Sequence, residues 1–273
     1  MKKVILITGA SSGMGKETAI QLIKEGHIVY GAARRVEQMQ DIVNDGGFAI
    51  ALDVSSEQQI INGVAKIIKE QGKIDVLWNN AGYGLYGAIE DIKIEEARRQ
   101  FEVNLFGLAR ITQEVLPYMR KAGQGLIINT SSMGGKMYTP LGAWYHATKH
   151  ALEGWSDCLR LELKGFNIKV VILEPGAIAT EFGDVLHQPI LDHSGKGVYA
   201  KLAHSMAKTM QDSYGKNNSS SPSSVISKTI SKIINTKQPK TRYRVGKWAK
   251  TMVWMRTYLG DAFFDKVIMS QLK

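Results

Sequence analysis

The chain has 273 residues, 44% of them apolar and 22% charged, which is ordinary for a globular protein with one substantial core. A single cysteine, Cys158, excludes an intrachain disulfide and suits a reducing compartment. The net charge of +10 is uneven: residues 196–273 carry 15 Lys/Arg against 3 Asp/Glu, so this tail is +12 and the first 195 residues sum to −2.

A basic tail can meet nucleic acid or an anionic lipid surface. No nucleic-acid-binding motif accompanies it, so no nucleic-acid partner is expected and a solvated basic face is the simpler reading. The opening MKKVILITGASSG sets two lysines before an apolar run. That run, Val4 to Ile7, is too short for a secretory signal, and no apolar stretch approaches a membrane span. A cytoplasmic protein is expected.

In chain order, KVILIT reads as a strand, followed by a helix from Gly13 to Glu25. HIVYGAA and FAIALDV are the second and third strands, and residues 57–71 a helix. IDVLWNNAG is the fourth strand, residues 95–120 a long helical segment, and GLIINTSS the fifth strand. Residues 145–164 read as a helix and NIKVVILEPG as the sixth strand. Near-continuous Val/Ile/Leu strands alternating with amphipathic helices predict a doubly wound α/β domain of Rossmann type, its parallel sheet covered on both faces. Residues 1–182 form the expected dinucleotide-binding and catalytic core. Residues 183–273 are expected to extend the same domain as a helical substrate cover. Within them, 213–224 read as a polar loop, VISKTISKIIN as a helix, and the aromatic segment after Lys247 as a lid, a subunit contact or a membrane-surface helix.

After the first strand stands TGASSGMG, with Gly9, Ser11, Ser12, Gly13, Met14 and Gly15. Glycines permit a tight turn and close approach of a phosphate, and the following helix offers free amides to the anion. The spacing is GxxxGxG rather than GxGxxG, but its place between the first strand and the first helix makes it a strong signal. The second strand ends in GAARR. A carboxylate there would hold a ribose diol and repel a 2′-phosphate, whereas Arg34 and Arg35 can pair with that phosphate. The expected cofactor is therefore NADP(H). Asp53, followed by Val54, ends the third strand, where its carboxylate can accept from adenine or cap the next turn.

Tyr145 and Lys149 stand four apart on the same helix and so share a face. A free phenol is a poor base at neutral pH, and a neighbouring ammonium is expected to lower its pKa. Tyr145 can then exchange a proton with an alcohol or carbonyl oxygen that Ser132 also holds. The nicotinamide supplies the hydride. The six histidines and the one cysteine show no convincing metal-ligand spacing, so no metal is expected.

These residues resemble the short-chain dehydrogenase/reductase family, classical type, from Lys3 to about Phe182. TGASSGMG matches its glycine motif, Asp53 its adenine-side aspartate, and Asn79 to Gly82 its NNAG. Asn104 in FEVNLFG matches its helix asparagine. Ser132, Tyr145 and Lys149 match its catalytic serine, tyrosine and lysine, and Pro175, Gly176 and Thr180 its PG and following threonine. Met14 stands where Ile or Leu is more usual. The resemblance implies that Tyr145 is the acid/base and that Lys149 holds the nicotinamide ribose. It implies that Asn104 anchors a water of the proton relay, that Ser132 positions the substrate oxygen, and that Asn80, Ala81, Gly82 and Pro175 to Thr180, with Ile178, line the cofactor. It also implies a homodimer or homotetramer with interface helices near 95–120 and 145–164. Residues 80–120 look like the 17-beta-hydroxysteroid or retinol dehydrogenase-like branch, which implies a small apolar carbonyl or alcohol substrate.

The expected function is therefore NADP(H)-dependent interconversion of an alcohol and a ketone or aldehyde. A non-catalytic NADP(H) sensor is the alternative, opposed by the intact Asn104, Ser132, Tyr145 and Lys149. A peripheral protein contacting anionic membrane weakly through its C-terminal region is a third reading, compatible with the first.

Overall fold

The computed structural model describes residues 1–180, 182–214 and 220–272. Its strands are β1 (Val4–Thr8), β2 (Ile28–Ala33), β3 (Phe48–Ala51), β4 (Val76–Asn79), β5 (Gly125–Thr130), β6 (Ile168–Pro175), β7 (Ile178–Ala179), β8 (Ser221–Pro222) and β9 (Arg242–Val245). Seven of them form one sheet in the order β3-β2-β1-β4-β5-β6-β9, every pair parallel. The order reverses between β1 and β4, which opens a crevice beyond their carboxyl ends.

Helices cover both faces, as continuously apolar strands require. On one face α3 (Glu57–Gln71), α5 (Gly107–Lys121) and α6 (Ala143–Glu162) bury Ile60, Val64, Ile67, Ile111, Val115, Met119 and Leu159. On the other, α1 (Gly13–Lys24) and α9 (Ser224–Asn235) bury Ala19, Leu22, Ile226, Ile230 and Ile233. The expected Rossmann-type single domain is the observed one.

Three boundaries differ from the sequence expectation. The long helical segment is α4 (Ile94–Phe101), a π-helical turn over Glu102–Phe106, and α5. The polar stretch 213–224 is shorter, because Tyr214 ends a helix, Ser221–Pro222 is β8 and Ser224 opens α9; residues 215–219 lie outside the described residues. The seventh strand, β9, comes from the basic tail. Its Tyr243 and Val245 pack on the apolar face, while Arg242 and Arg244 turn to acids of the core. Arg242 meets Glu153 at 3.1 Å and Glu174 at 3.2 Å, and also pairs with Asp157; Arg244 pairs with Glu174. Glu153 and Glu174 are almost wholly buried, so part of the tail's positive charge balances the core.

Beyond β7, α7 (Phe182–Ser194) and α8 (Ala200–Tyr214) pack together, and α10 (Ala249–Tyr258) and α11 (Asp261–Ser270) follow β9. Ile190, Ala203, Met206 and Met210 bury against Tyr86, Leu141 and Tyr145, whereas Met252, Phe264 and Ile268 bury against Met137. Both helix pairs therefore sit over the carboxyl-terminal side of the sheet.

Candidate active site

The glycine turn is shaped by close approach. Gly9 has φ +67°, and a Cβ there would lie 2.8 Å from the Cα of Ala81. A Cβ on Gly15 would stand 2.3 Å from the Gly9 carbonyl oxygen and 2.7 Å from Nδ2 of Asn80. The loop after β4 is fastened to this turn. Thr8 Oγ1 accepts from the amides of Asn80 at 3.0 Å and Ala81 at 3.1 Å, and Asn80 Nδ2 donates to the Gly9 carbonyl at 3.1 Å. Ser12 places no side-chain cap on α1, and no acid stands in its first turn. Its first amides therefore face the crevice as an uncompensated positive helix end. Oδ1 of Asn80 is buried without a partner. A bare backbone cradle, an open helix end and an orphaned acceptor fit a dinucleotide lying across the switch point. Thr180 borders the cradle, 3.4 Å from where a Cβ of Gly13 would be, and the half-buried Ser11 and Met14 complete the turn.

Arg34 and Arg35 follow β2 directly, and both are exposed. Arg34 acts electrostatically on Asp53 and Tyr83. Asp53 Oδ1 accepts from Ser55 N at 2.9 Å and from Ser55 Oγ at 2.6 Å, and Arg99 approaches Oδ2 at 3.4 Å. Burial alone would raise its pKa; the Ser55 bonds with Arg99 and Arg34 outweigh that and hold it below the usual carboxylate value. Asp53 thus caps its own turn through Oδ1, while Oδ2 meets Arg99 alone among the contacts described. The next residue, Val54, is buried, and its carbonyl would meet a Cβ of Gly107 at 2.2 Å, so α5 can begin there only with glycine.

The four polar residues of the expected tetrad converge from three places: the π-helical turn, the end of β5 and α6. Ser132 lies just past β5; its Oγ accepts from the Gly134 amide at 3.0 Å and its hydroxyl donates to the Tyr145 phenol oxygen. Lys149 donates to the Thr130 carbonyl at 2.8 Å, its Nζ 5.9 Å from the Tyr145 ring centroid. Asn104 sits in the π-helical turn, where Oδ1 accepts from Tyr83 N at 3.0 Å and Nδ2 donates to Tyr83 O at 2.9 Å and Thr148 Oγ1 at 3.2 Å. Asn104 Oδ1 and Lys149 Nζ both flank Gly82, 3.1 Å and 3.7 Å from where its Cβ would stand. The π turn therefore aims a buried amide at the strand-end loop beside the lysine.

The expected lowering of the Tyr145 pKa is not what the site does. Burial pushes the phenol up to about 12, only partly opposed by the Ser132 bond. Burial also drives Lys149 down to about 8, partly opposed by Glu153 one turn later. Desolvation is the largest cause of both shifts. At neutral pH the pair is a phenol beside an ammonium, a form that can give a proton.

Above this pair lies a cavity of about 200 Å³. Tyr86, Ser132, Tyr145, Tyr214 and the methionines 133, 137, 206, 210 and 252 line it, with Trp248, Ile268 and Leu272. Tyr86 and Tyr145 lie with ring centroids 5.6 Å apart, and burial raises the pKa of Tyr214 as well. No charged side chain stands among the lining residues described. His146 is fixed beneath the wall, with Nδ1 donating to Gly134 O at 2.9 Å and Nε2 accepting from the Thr139 amide at 3.1 Å; burial depresses its pKa to about 4. Sequence reasoning did not find Tyr86, Tyr214, His146 or the methionines. Pro175 ends β6, and Gly176 is pressed against β9's exit, where a Cβ would meet the Lys247 carbonyl at 2.1 Å. Ile178 is buried in β7 against the apolar face of the sheet. These three frame the crevice from behind.

The family model for short chain dehydrogenases matches residues 3–189. A 3-ketodihydrosphingosine reductase of Bacteroides thetaiotaomicron is 38% identical over 258 residues, covering 93% of each chain. The structure of a short-chain dehydrogenase from Streptomyces avermitilis superposes with a TM-score of 0.80 at 33% identity over 99% of each chain. A serine dehydrogenase complexed with NADP+ gives 0.77 at 27% identity, covering 89% of this chain and 94% of that one. With the glycine turn, the switch-point crevice and the converging serine, tyrosine and lysine, these likenesses show that the chain belongs to the short-chain dehydrogenase family and is an oxidoreductase of its nicotinamide-dependent kind.

Proposed function

We propose that the chain is an NADP(H)-dependent oxidoreductase that interconverts an apolar alcohol and its ketone or aldehyde, running as a reductase when NADPH is the reduced pool. The observation that carries this is Tyr145, hydrogen-bonded to Ser132 and one helical turn from Lys149, at the floor of a methionine-lined cavity. The bound nicotinamide would supply the hydride. Ser132 and Tyr145 hold the substrate oxygen, and Tyr145 gives it the phenolic proton as negative charge develops there. Lys149 keeps an ammonium beside the phenol and would hold the ribose hydroxyls of the bound cofactor. Asn104 orders the loop next to Lys149 and anchors a water through which the proton is restored. Gly9, Ser11, Ser12, Gly13, Met14, Gly15, Asn80, Ala81 and Gly82 would carry the pyrophosphate and ribose. Asp53 and Val54 would carry adenine, while Pro175, Gly176, Ile178 and Thr180 would border the nicotinamide.

Solved relatives hold both nicotinamide forms, NADP+ in one and NADH in another, so the preference for NADP(H) rests on this chain's own Arg34 and Arg35 and the absence of an acid before them. The apolar substrate rests on the thioether and aromatic lining, because flexible methionines adapt to aliphatic chains. The Bacteroides relative bears the name of a reductase of a long-chain ketone, and a ketone with an extended alkyl chain is the first substrate to test. Likeness to the 17-beta-hydroxysteroid or retinol dehydrogenase branch is kept only as a proposal of bulk. Residues 183–273 act as the cover of the pocket. The protein works as a cytoplasmic homodimer or homotetramer through α4, α5 and α6. No helix among the described residues is long and apolar enough to cross a membrane. Fluorescence quenching by NADPH and NADH tests the cofactor choice: tighter NADPH supports it, and preference for NADH overturns it.

A further inference from the structure

The α10–α11 hairpin has two faces, and the pocket uses only one. Inward, Met252 and Ile268 wall the cavity, and Phe264 is fully buried beside them. Outward, Trp254, Tyr258, Leu259 and Phe263 stay exposed, Tyr258 at 71%. Trp254 and Tyr258 stand one turn apart with ring centroids 6.0 Å from each other, while Leu259 and Phe263 flank the Gly260 turn between the helices. A soluble surface rarely gathers large apolar side chains in this way without a use.

The charge on the hairpin is sorted. Both of its acids are engaged: Asp261 pairs with Arg256 at 2.5 Å, and Asp265 accepts from the Tyr138 hydroxyl at 2.9 Å. Lys250 and Lys266 are exposed, and Lys247 lies 5.7 Å from the Trp248 ring centroid. These lysines belong to the segment with 15 Lys/Arg and 3 Asp/Glu.

We infer that the outer face of this hairpin docks on a lipid bilayer carrying anionic headgroups. Indole and phenol rings favour the headgroup level, where one edge is apolar and the other wet. Lysines at its margin add attraction to anionic lipid, and short amphipathic helices lie in that plane rather than spanning it. A second copy fits less well, because a two-fold contact of this face with itself would oppose its own lysines. Because the same two helices wall the pocket, docking brings the wall of the cavity to the surface that stores apolar substrates.

Sedimentation with vesicles tests this, using the full chain and no substrate. The wild type is expected to partition onto phosphatidylcholine vesicles that contain phosphatidylglycerol, weakly onto phosphatidylcholine alone, and to be released by high salt. K250E/K266E is expected to lose at least about twenty-fold in partition, since each lysine contributes roughly fivefold. W254S/Y258S/F263S is expected to lose binding while turning over a water-soluble carbonyl normally, since none of these residues lines the pocket. No partition of the wild type at low salt overturns the inference, as does undiminished binding by the triple variant. A smaller assembly of the triple variant in the absence of vesicles would assign the face to a second copy and also overturn it.

Discussion

Lys149 donates to the carbonyl of Thr130 at 2.8 Å, so the buried ammonium is held at the last residue of β5, two positions before Ser132. Burial lowers its pKa to about 8, whereas Tyr145 is pushed up to about 12. Below pH 8 the ammonium is present and the phenol is protonated; above it Lys149 becomes neutral. The pH profile of kcat/KM for carbonyl reduction should therefore be level at neutral pH and fall through about 8, by about tenfold per pH unit. Lys149→Met should be slow throughout and show no break there. A break that persists in this variant would assign it to another group.

The proposed preference for NADP(H) requires Arg34 to pair with the cofactor's 2′-phosphate. Arg34→Ala should raise the Kd for NADPH by roughly ten- to a hundredfold, the loss of one charge-assisted contact, and leave NADH nearly unchanged. Paired fluorescence titrations check this. Equal weakening of both cofactors would place Arg34 outside the phosphate's reach.

Gly15 has no room for a methyl group, because its Cβ would stand 2.3 Å from the Gly9 carbonyl. Gly15→Ala should displace the turn and abolish detectable NADPH binding, with a stability loss of about 1–3 kcal/mol from overpacking. Circular dichroism alongside calorimetric titration separates the two effects. Normal NADPH affinity would show that the cradle lies elsewhere.

Arg242 joins three acids, two of them nearly without solvent contact. Burial raises the pKa of Glu174, with neighbouring Glu153 adding to the effect, so the pair depends on its guanidinium partners. Arg242→Ala should cost about 3 kcal/mol, because a buried charge left without its partner is expensive. Urea unfolding would show a lower midpoint at unchanged slope. An unchanged midpoint would mean that Arg244, on Glu174, and Lys136, 3.2 Å from Glu153, carry the acids alone.

Much of this was legible because its cause is local. The glycine turn, the period of the strands and the four-residue step from Tyr145 to Lys149 express backbone geometry that sequence records directly. The remainder depends on partners distant in the chain. Arg242 and Arg244 alternate with Tyr243 and Val245, the period of a half-buried strand, but their acids lie 68 to 89 positions earlier by residue number, so β9 read as part of a basic tail. Met206, Met210 and Met252 follow the spacing of core helices, and nothing local distinguishes a thioether that packs from one that lines a cavity. The sign of the Tyr145 shift depended on burial, which spacing does not record.

As proposed, Tyr145 delivers the proton during NADPH-dependent reduction of an apolar carbonyl. The most direct measurement is NADPH consumption with a long-chain aliphatic ketone by the wild type and by Tyr145→Phe, with NADPH affinity measured on both. Steady turnover by the wild type, a loss of about 10²–10⁴-fold in the variant, and nearly equal NADPH binding are expected. Undiminished turnover by Tyr145→Phe would contradict it.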